Sequence, residues 1–276
     1  RLRPGLWTLA FGKGDVLNFD PSTANIIEPQ GNRYWADPFF LERNGKTYVF
    51  FEDYDYATQL GHIGAGELSN GEFHYIGPAM RARHHLSYPF IFEHGDALYM
   101  MPETHATKRI EVWRCEHFPD RWTLHATALD GRQSADSVLA EVNGVWRLFT
   151  NICVDRFGDH NSELHVFAVD GPDLKTINAY SNNPVVIDSR TTRGGGRVFV
   201  HDNRIFRVSQ YNAHGAYGYG ANLMEITHID ETHYEEKLVR RIEPNFAPGL
   251  AGCHHIDFCN GVFVMDVRKK WGGFPT

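Results

Sequence analysis

A short hairpin pattern recurs five times along this chain. The copies are DPFFLERNGKTYVFFE (Asp37–Glu52), YPFIFEHGDALYMMPE (Tyr88–Glu103), DSVLAEVNGVWRLFTN (Asp136–Asn151), GGRVFVHDNRIFRVSQ (Gly195–Gln210) and CHHIDFCNGVFVMDVR (Cys253–Arg268). Each copy is an apolar, β-branched or aromatic run, a turn of the NG, GD or DN kind, and a second such run, the short-range signature of a β-hairpin. A recurrence about every fifty to sixty residues indicates a repeat architecture. A hairpin cannot bury both of its faces alone, so units of this size are expected to stack radially as blades. The reading is an all-β fold, a five-bladed β-propeller, with residues 1–276 as one domain.

Other segments complete the blades. HIGAGEL, RIEVWRC, ELHVFAV and NLMEITHI read as third strands, and FHYIGPAM and WTLHATAL as fourth strands. LWTLAF (Leu6–Phe11) is expected to supply the outer strand of the last blade and close the ring, which removes open sheet edges. Helix is expected only in brief turns, for instance around Asp173 to Ile177.

Composition excludes several partners. With 34 Asp plus Glu against 27 Lys plus Arg, the chain is mildly acidic, and its basic residues are scattered, whereas nucleic acid demands a clustered positive footprint. No apolar run approaches the eighteen or so residues of a membrane span. RLRPGLW is no signal peptide, and its abrupt start suggests a piece of a longer protein. The four cysteines, Cys115, Cys153, Cys253 and Cys259, show no zinc spacing and read as free thiols. The lack of an N-x-S/T acceptor weighs toward a soluble, bacterial or cytosolic protein, with the compartment open.

In each hairpin the first residue of the inner strand and the last residue of the second lie at one end of the propeller, because antiparallel strands return to where they began. That end is expected to gather Asp37, Glu52, Asp53, Glu103, Asp136, Asn151, Gln210, His254 and His255, with Tyr34, Trp35, His85, Tyr88, Arg193 and Arg197 on the same rim. Paired carboxyl groups suit glycoside chemistry, one protonating the leaving oxygen and one acting as base or nucleophile. Trp35 and Tyr88 are expected to offer flat faces to a sugar ring. Arg193 and Arg197 flank a triple glycine, so close blade packing, with arginine tying blades together, is the plainer reading of that segment. His254 and His255 suggest an ion, but adjacent strand residues face opposite ways. No metal ligand set is assigned and no cofactor is required, leaving room for a single axial ion.

WADPFF (Trp35–Phe40), FFEDYDY (Phe50–Tyr56), HLSYPFIF (His85–Phe92), YMMPET (Tyr99–Thr104) and RGGGRVF (Arg193–Phe199) together resemble the propeller domain of plant glucosamine inositolphosphorylceramide transferases, over about Tyr34 to His255. The resemblance implies a five-bladed fold distantly similar to arabinanase-like and invertase-like glycoside hydrolases. In the plant proteins glycosyl transfer belongs to a separate domain, so the implied partner is a fused or associated glycosyltransferase domain. The more distant likeness matches Asp37 to the hydrolases' first-blade base or nucleophile. Those enzymes place an aspartate in blade two and the acid glutamate in blade three; here Tyr88-Pro89 opens blade two and Asp136 opens blade three, which leaves Glu103 as the candidate acid.

The expected function is a carbohydrate-active propeller that hydrolyses or transfers a glycosyl unit. Asp37 would act as base or nucleophile, Glu103 as acid, and Asp136 with Arg193 would orient substrate. The alternatives are a non-catalytic glycan-binding or scaffolding module of a glycosyltransferase system, and a structural propeller that binds protein.

Overall fold

Every hairpin read from the sequence becomes the inner half of an antiparallel sheet, and there are five such sheets. The computed structural model describes residues 6–153 and 159–270, so the leader reading of RLRPGLW lies mostly outside the described residues. Blade one runs outward through Arg33–Arg43, Lys46–Asp55, Leu60–Ser69 and Glu72–Met80. Blade two follows with Ser87–His94, Ala97–Glu103, Ile110–His117 and Arg121–Ala128. Blade three uses Gln133–Val142, Val145–Cys153, Glu163–Val169 and the short Ile177–Ala179, with Val186–Ile187 also pairing to its third strand. Blade four is Gly194–His201, Arg204–Ala213, Ala216–Ile229 and Tyr234–Ile242.

Blade five closes the ring from both ends of the chain. Ile256–Cys259 and Leu250–Gly252 pair with Val262–Lys269, which in turn pairs with Trp7–Lys13 over the full register from Trp7↔Arg268 to Lys13↔Val262. LWTLAF is therefore the third strand of this blade, not the outermost; Asn25–Ile27 takes the edge, because the loop after Lys13 folds back along it. The residues around Asp173 form a turn that leads into strand at Ile177, and the described helices are single 3-10 turns at Pro21–Thr23, His105–Thr107 and Pro244–Phe246.

The core lies between blades. Leu9, Phe11 and Val264 of blade five pack against Trp35, Phe40, Val49 and Phe51 of blade one. Each such side chain taken out of water contributes about 1.5–3 kcal/mol, which holds the closing blade against blade one. The triple glycine sits where blades four and five touch: a Cβ on Gly196, whose φ is +153°, would lie 2.3 Å from the Ile256 carbonyl oxygen. That segment is glycine because backbone approaches backbone there.

Candidate functional site

The inner strands of blades one, two and three are interrupted at the same place. Their register slips between Ala36 and Phe39, Ser87 and Phe90, and Ala135 and Val138, so that two residues oppose one on the neighbouring strand. The first residue of each bulge, Asp37, Tyr88 or Asp136, has a positive φ of 52°, 46° or 48°. Non-glycine residues reach this region at a free-energy cost, and a tyrosine does so rarely. The conformation releases these three side chains from the strand's alternation and brings them together at one end of the axis.

Contacts connect all five blades there. The Asp37 amide donates to Asp266 Oδ2 at 3.1 Å, and Asp37 Oδ2 accepts from the Tyr88 amide at 3.3 Å. Tyr88 reaches across to blade four, where its hydroxyl donates to the Gly196 carbonyl at 3.0 Å. Arg193 Nε donates to Asp136 Oδ2 at 2.5 Å, and its Nη2 lies 3.6 Å from Glu103 Oε2, which also accepts from the Asp136 amide at 3.3 Å. Gln210 Nε2 donates to Asp136 Oδ2 and to the Tyr217 hydroxyl, both at 3.3 Å. On the blade-one side His85 Nε2 is 3.1 Å from Glu52 Oε1, which accepts from the Tyr34 hydroxyl at 2.8 Å.

Burial and crowding set the charges. Loss of solvent pushes the Asp37 carboxyl well above the usual range, and the neighbouring Glu52, Asp266, Asp136 and Glu103 push the same way. Desolvation likewise raises Asp136 to about 6; Arg193 opposes the rise and Glu103 adds to it. Burial works against a charged His85, but the Glu52 carboxylate prevails and raises it above its ordinary value. His255 is driven down to about 3 by desolvation and is neutral.

Blade five supplies a brace that the sequence reading missed. Asp266 Oδ1 accepts from the amides of both His254 and His255, at 2.9 and 3.0 Å, and its Oδ2 lies 2.7 Å from His254 Nδ1. Those two residues lie outside any strand, so the expected opposite orientation does not apply: both imidazoles reach Asp37 Oδ1, at 3.5 and 3.8 Å. One donor atom each from Asp37, His254 and Asp266 falls within 4.8 Å of the others. Both Asp266 oxygens are already engaged by backbone amides and imidazole, so the trio reads as a hydrogen-bonded brace and not as a ligand set for an ion.

Several expected contacts lie elsewhere. Trp35 and Asp53 pair across the two inner strands of blade one but face blade five, since the bulge follows them and alternation still governs. Trp35 packs on Phe51, Phe73 and Tyr75 and lines a flank cavity of about 660 Å³ with Arg33, Asp53 and Arg81, away from Asp37. Arg197 is bound to Asp257 through Nε and Nη2 at 2.7 and 2.8 Å and donates to the Phe40 carbonyl, a pin between blades four, five and one. Tyr88 and His255 are in place but 1% and 0% exposed, so neither presents a face to a ligand. Asn151 spends its amide on the Glu163 and Thr192 carbonyls and the Gly194 amide. Beside these groups Tyr217 is 45% exposed, with the Arg193 guanidinium over it and His254 at its edge. Trp7 stacks on the same histidine, with ring centroids 4.2 Å apart. The alternating GAYGYG run at 215–220 was the available signal for Tyr217.

Five antiparallel blades with acidic residues at one end of the axis define the chain as a five-bladed propeller of the architecture found in glycoside hydrolases. A family 117 glycoside hydrolase of Zobellia galactanivorans superposes with a TM-score of 0.60 at 11% identity, over 95% of this chain and 90% of that one. An exo-β-1,3-galactanase from Clostridium thermocellum gives 0.59 at 12%, over 92% and 57%. At that identity the likeness is one of fold. The chain belongs to the family described as glucosamine inositolphosphorylceramide transferase 1, N-terminal, which matches residues 22–245. It is 31% identical over 209 residues to glucosamine inositolphosphorylceramide transferase 1 of Oryza sativa subsp. japonica, covering 74% of this chain and 28% of that protein. The corresponding protein of Arabidopsis thaliana is 28% identical over 209 residues, 74% of this chain and 27% of that one. The chain thus spans little more than a quarter of these relatives. Among the described residues no helix is long and apolar enough to cross a membrane.

Proposed function

We propose that this propeller engages a glycan at the axial end through Asp37, Asp136 and Arg193, and that two of these groups form an acid–base pair. The observation that carries the reading is geometric: positive-φ bulges bring the buried Asp37 and Asp136 carboxyls to one end of the axis, with Arg193 Nε on Asp136 Oδ2 at 2.5 Å. Asp37 is held toward its protonated form, while Asp136, at about 6, is ionised at neutral pH. A carboxyl kept protonated beside one that Arg193 helps to ionise is an arrangement that can run acid and base chemistry in one site. Asp37 is accordingly the proton donor in this proposal, a change from the base or nucleophile first expected of it, and Asp136 is the base. Glu103, tied to the Asp136 amide and to Arg193, positions that carboxylate in place of acting as the acid. Glu52 and His85 line the blade-one side, with Tyr217 as the ring face for a sugar.

The family supports a role in glycosyl transfer, because the relatives bear the name of a transferase. It also favours a second reading. The family is described by an N-terminal portion and the match covers only 28% of the rice protein, which suits a glycan-binding or scaffolding module working with a fused or associated transferase domain. Incubating the chain with a panel of oligosaccharides, in parallel with Asp37→Asn, separates the two. The enzyme reading expects sugar release or transfer that Asp37→Asn abolishes while its melting temperature stays near wild type. Glycan binding without product from the wild type decides for the module, and unchanged activity in Asp37→Asn removes the assignment of Asp37.

A further inference from the structure

The cleft between blades five and one, away from the axial end, holds two buried polar atoms that lack a partner. Trp35 and Asp53 stand directly opposite on neighbouring strands, so their side chains leave the same face of the sheet side by side. Both line the cleft of about 660 Å³. Among the described residues the Trp35 Nε1–H finds no acceptor and Asp53 Oδ1 finds no donor, although the two residues are 6% and 0% exposed. A buried donor or acceptor left unmet costs free energy that a ligand recovers. The other oxygen of Asp53 is engaged: Oδ2 accepts from Arg33 Nη1 at 2.7 Å and from the Tyr75 hydroxyl at 2.8 Å, with His62 Nε2 at 3.2 Å. Arg33 already balances the carboxylate, so Oδ1 needs a neutral donor and not a second cation.

The mouth of the cleft adds a third unmet group. Arg81 is exposed there and makes no ion pair among the described residues, while Glu28, the other carboxylate lining the cleft, is bound to Lys269. Ile27, Phe73, Tyr75 and Pro78 make the walls largely apolar. A secondary amide brings one N–H and one C=O, which match the unmet acceptor and donor. A carboxylate answers Arg81, and an apolar side chain suits the walls. These three groups occur together in an N-acylated amino acid, the chemistry of the C-terminal end of a polypeptide. We propose that this cleft binds the C-terminal end of a peptide chain, its last amide against Trp35 Nε1 and Asp53 Oδ1 and its carboxylate on Arg81. Tyr75, 41% exposed and packed on Trp35, is the lid whose outward turn uncovers the two atoms. A monosaccharide fits less well, because it brings several hydroxyls to a floor that offers one donor and one acceptor. The inference stands apart from the glycan reading of the axial end.

Ligand-observed NMR titration of the full chain with acetyl-alanyl-leucine tests this, set against its C-terminal amide and against galacturonate. The free acid is expected to bind about tenfold or more tightly than the amide, the scale of one charge-assisted contact. Arg81→Gln, at an exposed position, is expected to erase that preference. Trp35→Phe keeps an aromatic ring without the N–H and is expected to weaken acid and amide alike. Equal binding of acid and amide, a preference that survives Arg81→Gln, galacturonate bound ahead of the peptide, or no peptide binding at all would each overturn the inference.

Discussion

Arg197 offers the sharpest quantitative test of how the blades are held. Its guanidinium makes two bonds to Asp257 at 2.7 and 2.8 Å and one to the Phe40 carbonyl at 2.8 Å, between the rings of Phe39 and Phe90. Asp257 is 0% exposed and its Oδ2 also accepts from the Phe40 amide at 2.8 Å. Arg197→Met would keep the apolar stem and strand the carboxylate in the interior. Breaking a buried pair from one side costs about 3–5 kcal/mol, most of it from the charge left behind. With an unfolding entropy of about 2.1 cal/mol/K per residue over 276 residues, that loss lowers the melting temperature by about 5–9 °C. Arg197→Met with Asp257→Asn removes the stranded charge and is expected to recover about half of the loss. Thermal unfolding followed by circular dichroism reads all three proteins. A loss below about 1 kcal/mol for Arg197→Met, the scale of a solvated surface pair, would refute the assignment of this arginine as an inter-blade pin.

Two further expectations concern the inner strands of blades four and three. Gly196→Ala forces a Cβ to within 2.3 Å of the Ile256 carbonyl, so blades four and five must separate; a drop in melting temperature of several degrees is expected, and an unchanged value would contradict the close approach. Asp136 faces Arg193, Glu103, Gln210 and Tyr88, and its folded value of about 6 lies above its ordinary 3.8, so the folded state holds the proton more tightly. Its contribution to stability is then fully present below about pH 4 and lost as pH rises toward and through 6, about 3 kcal/mol in all. Melting temperatures of wild type and Asp136→Asn at pH 4.5 and 7 check this, the wild type losing ground relative to the variant as pH rises.

The architecture was legible because hairpin chemistry is local: NG, GD and DN turns between apolar runs fixed both the repeat and the end at which the polar residues meet. What local pattern does not encode is the bulge. Asp37, Tyr88 and Asp136 leave the alternation through positive φ, while Trp35 and Asp53 obey it and face blade five. Asp257 and Asp266 passed unnoticed inside the apolar runs IDFC and FVMDVR. A carboxylate in an otherwise buried strand was itself the signal, because burial demands a partner, and these partners turned out to be Arg197 and the His254–His255 segment. Tyr217 was missed because it lies beyond the repeated hairpin, on the longer strand Ala216–Ile229.

A structure of the chain with a bound oligosaccharide tests the central claim directly. The account predicts a sugar ring at the axial end, within hydrogen-bond distance of Asp37 and Asp136 and against Tyr217. A sugar seated only in the flank cavity of Trp35, Arg33 and Tyr75, with the axial carboxyl groups untouched, would contradict it.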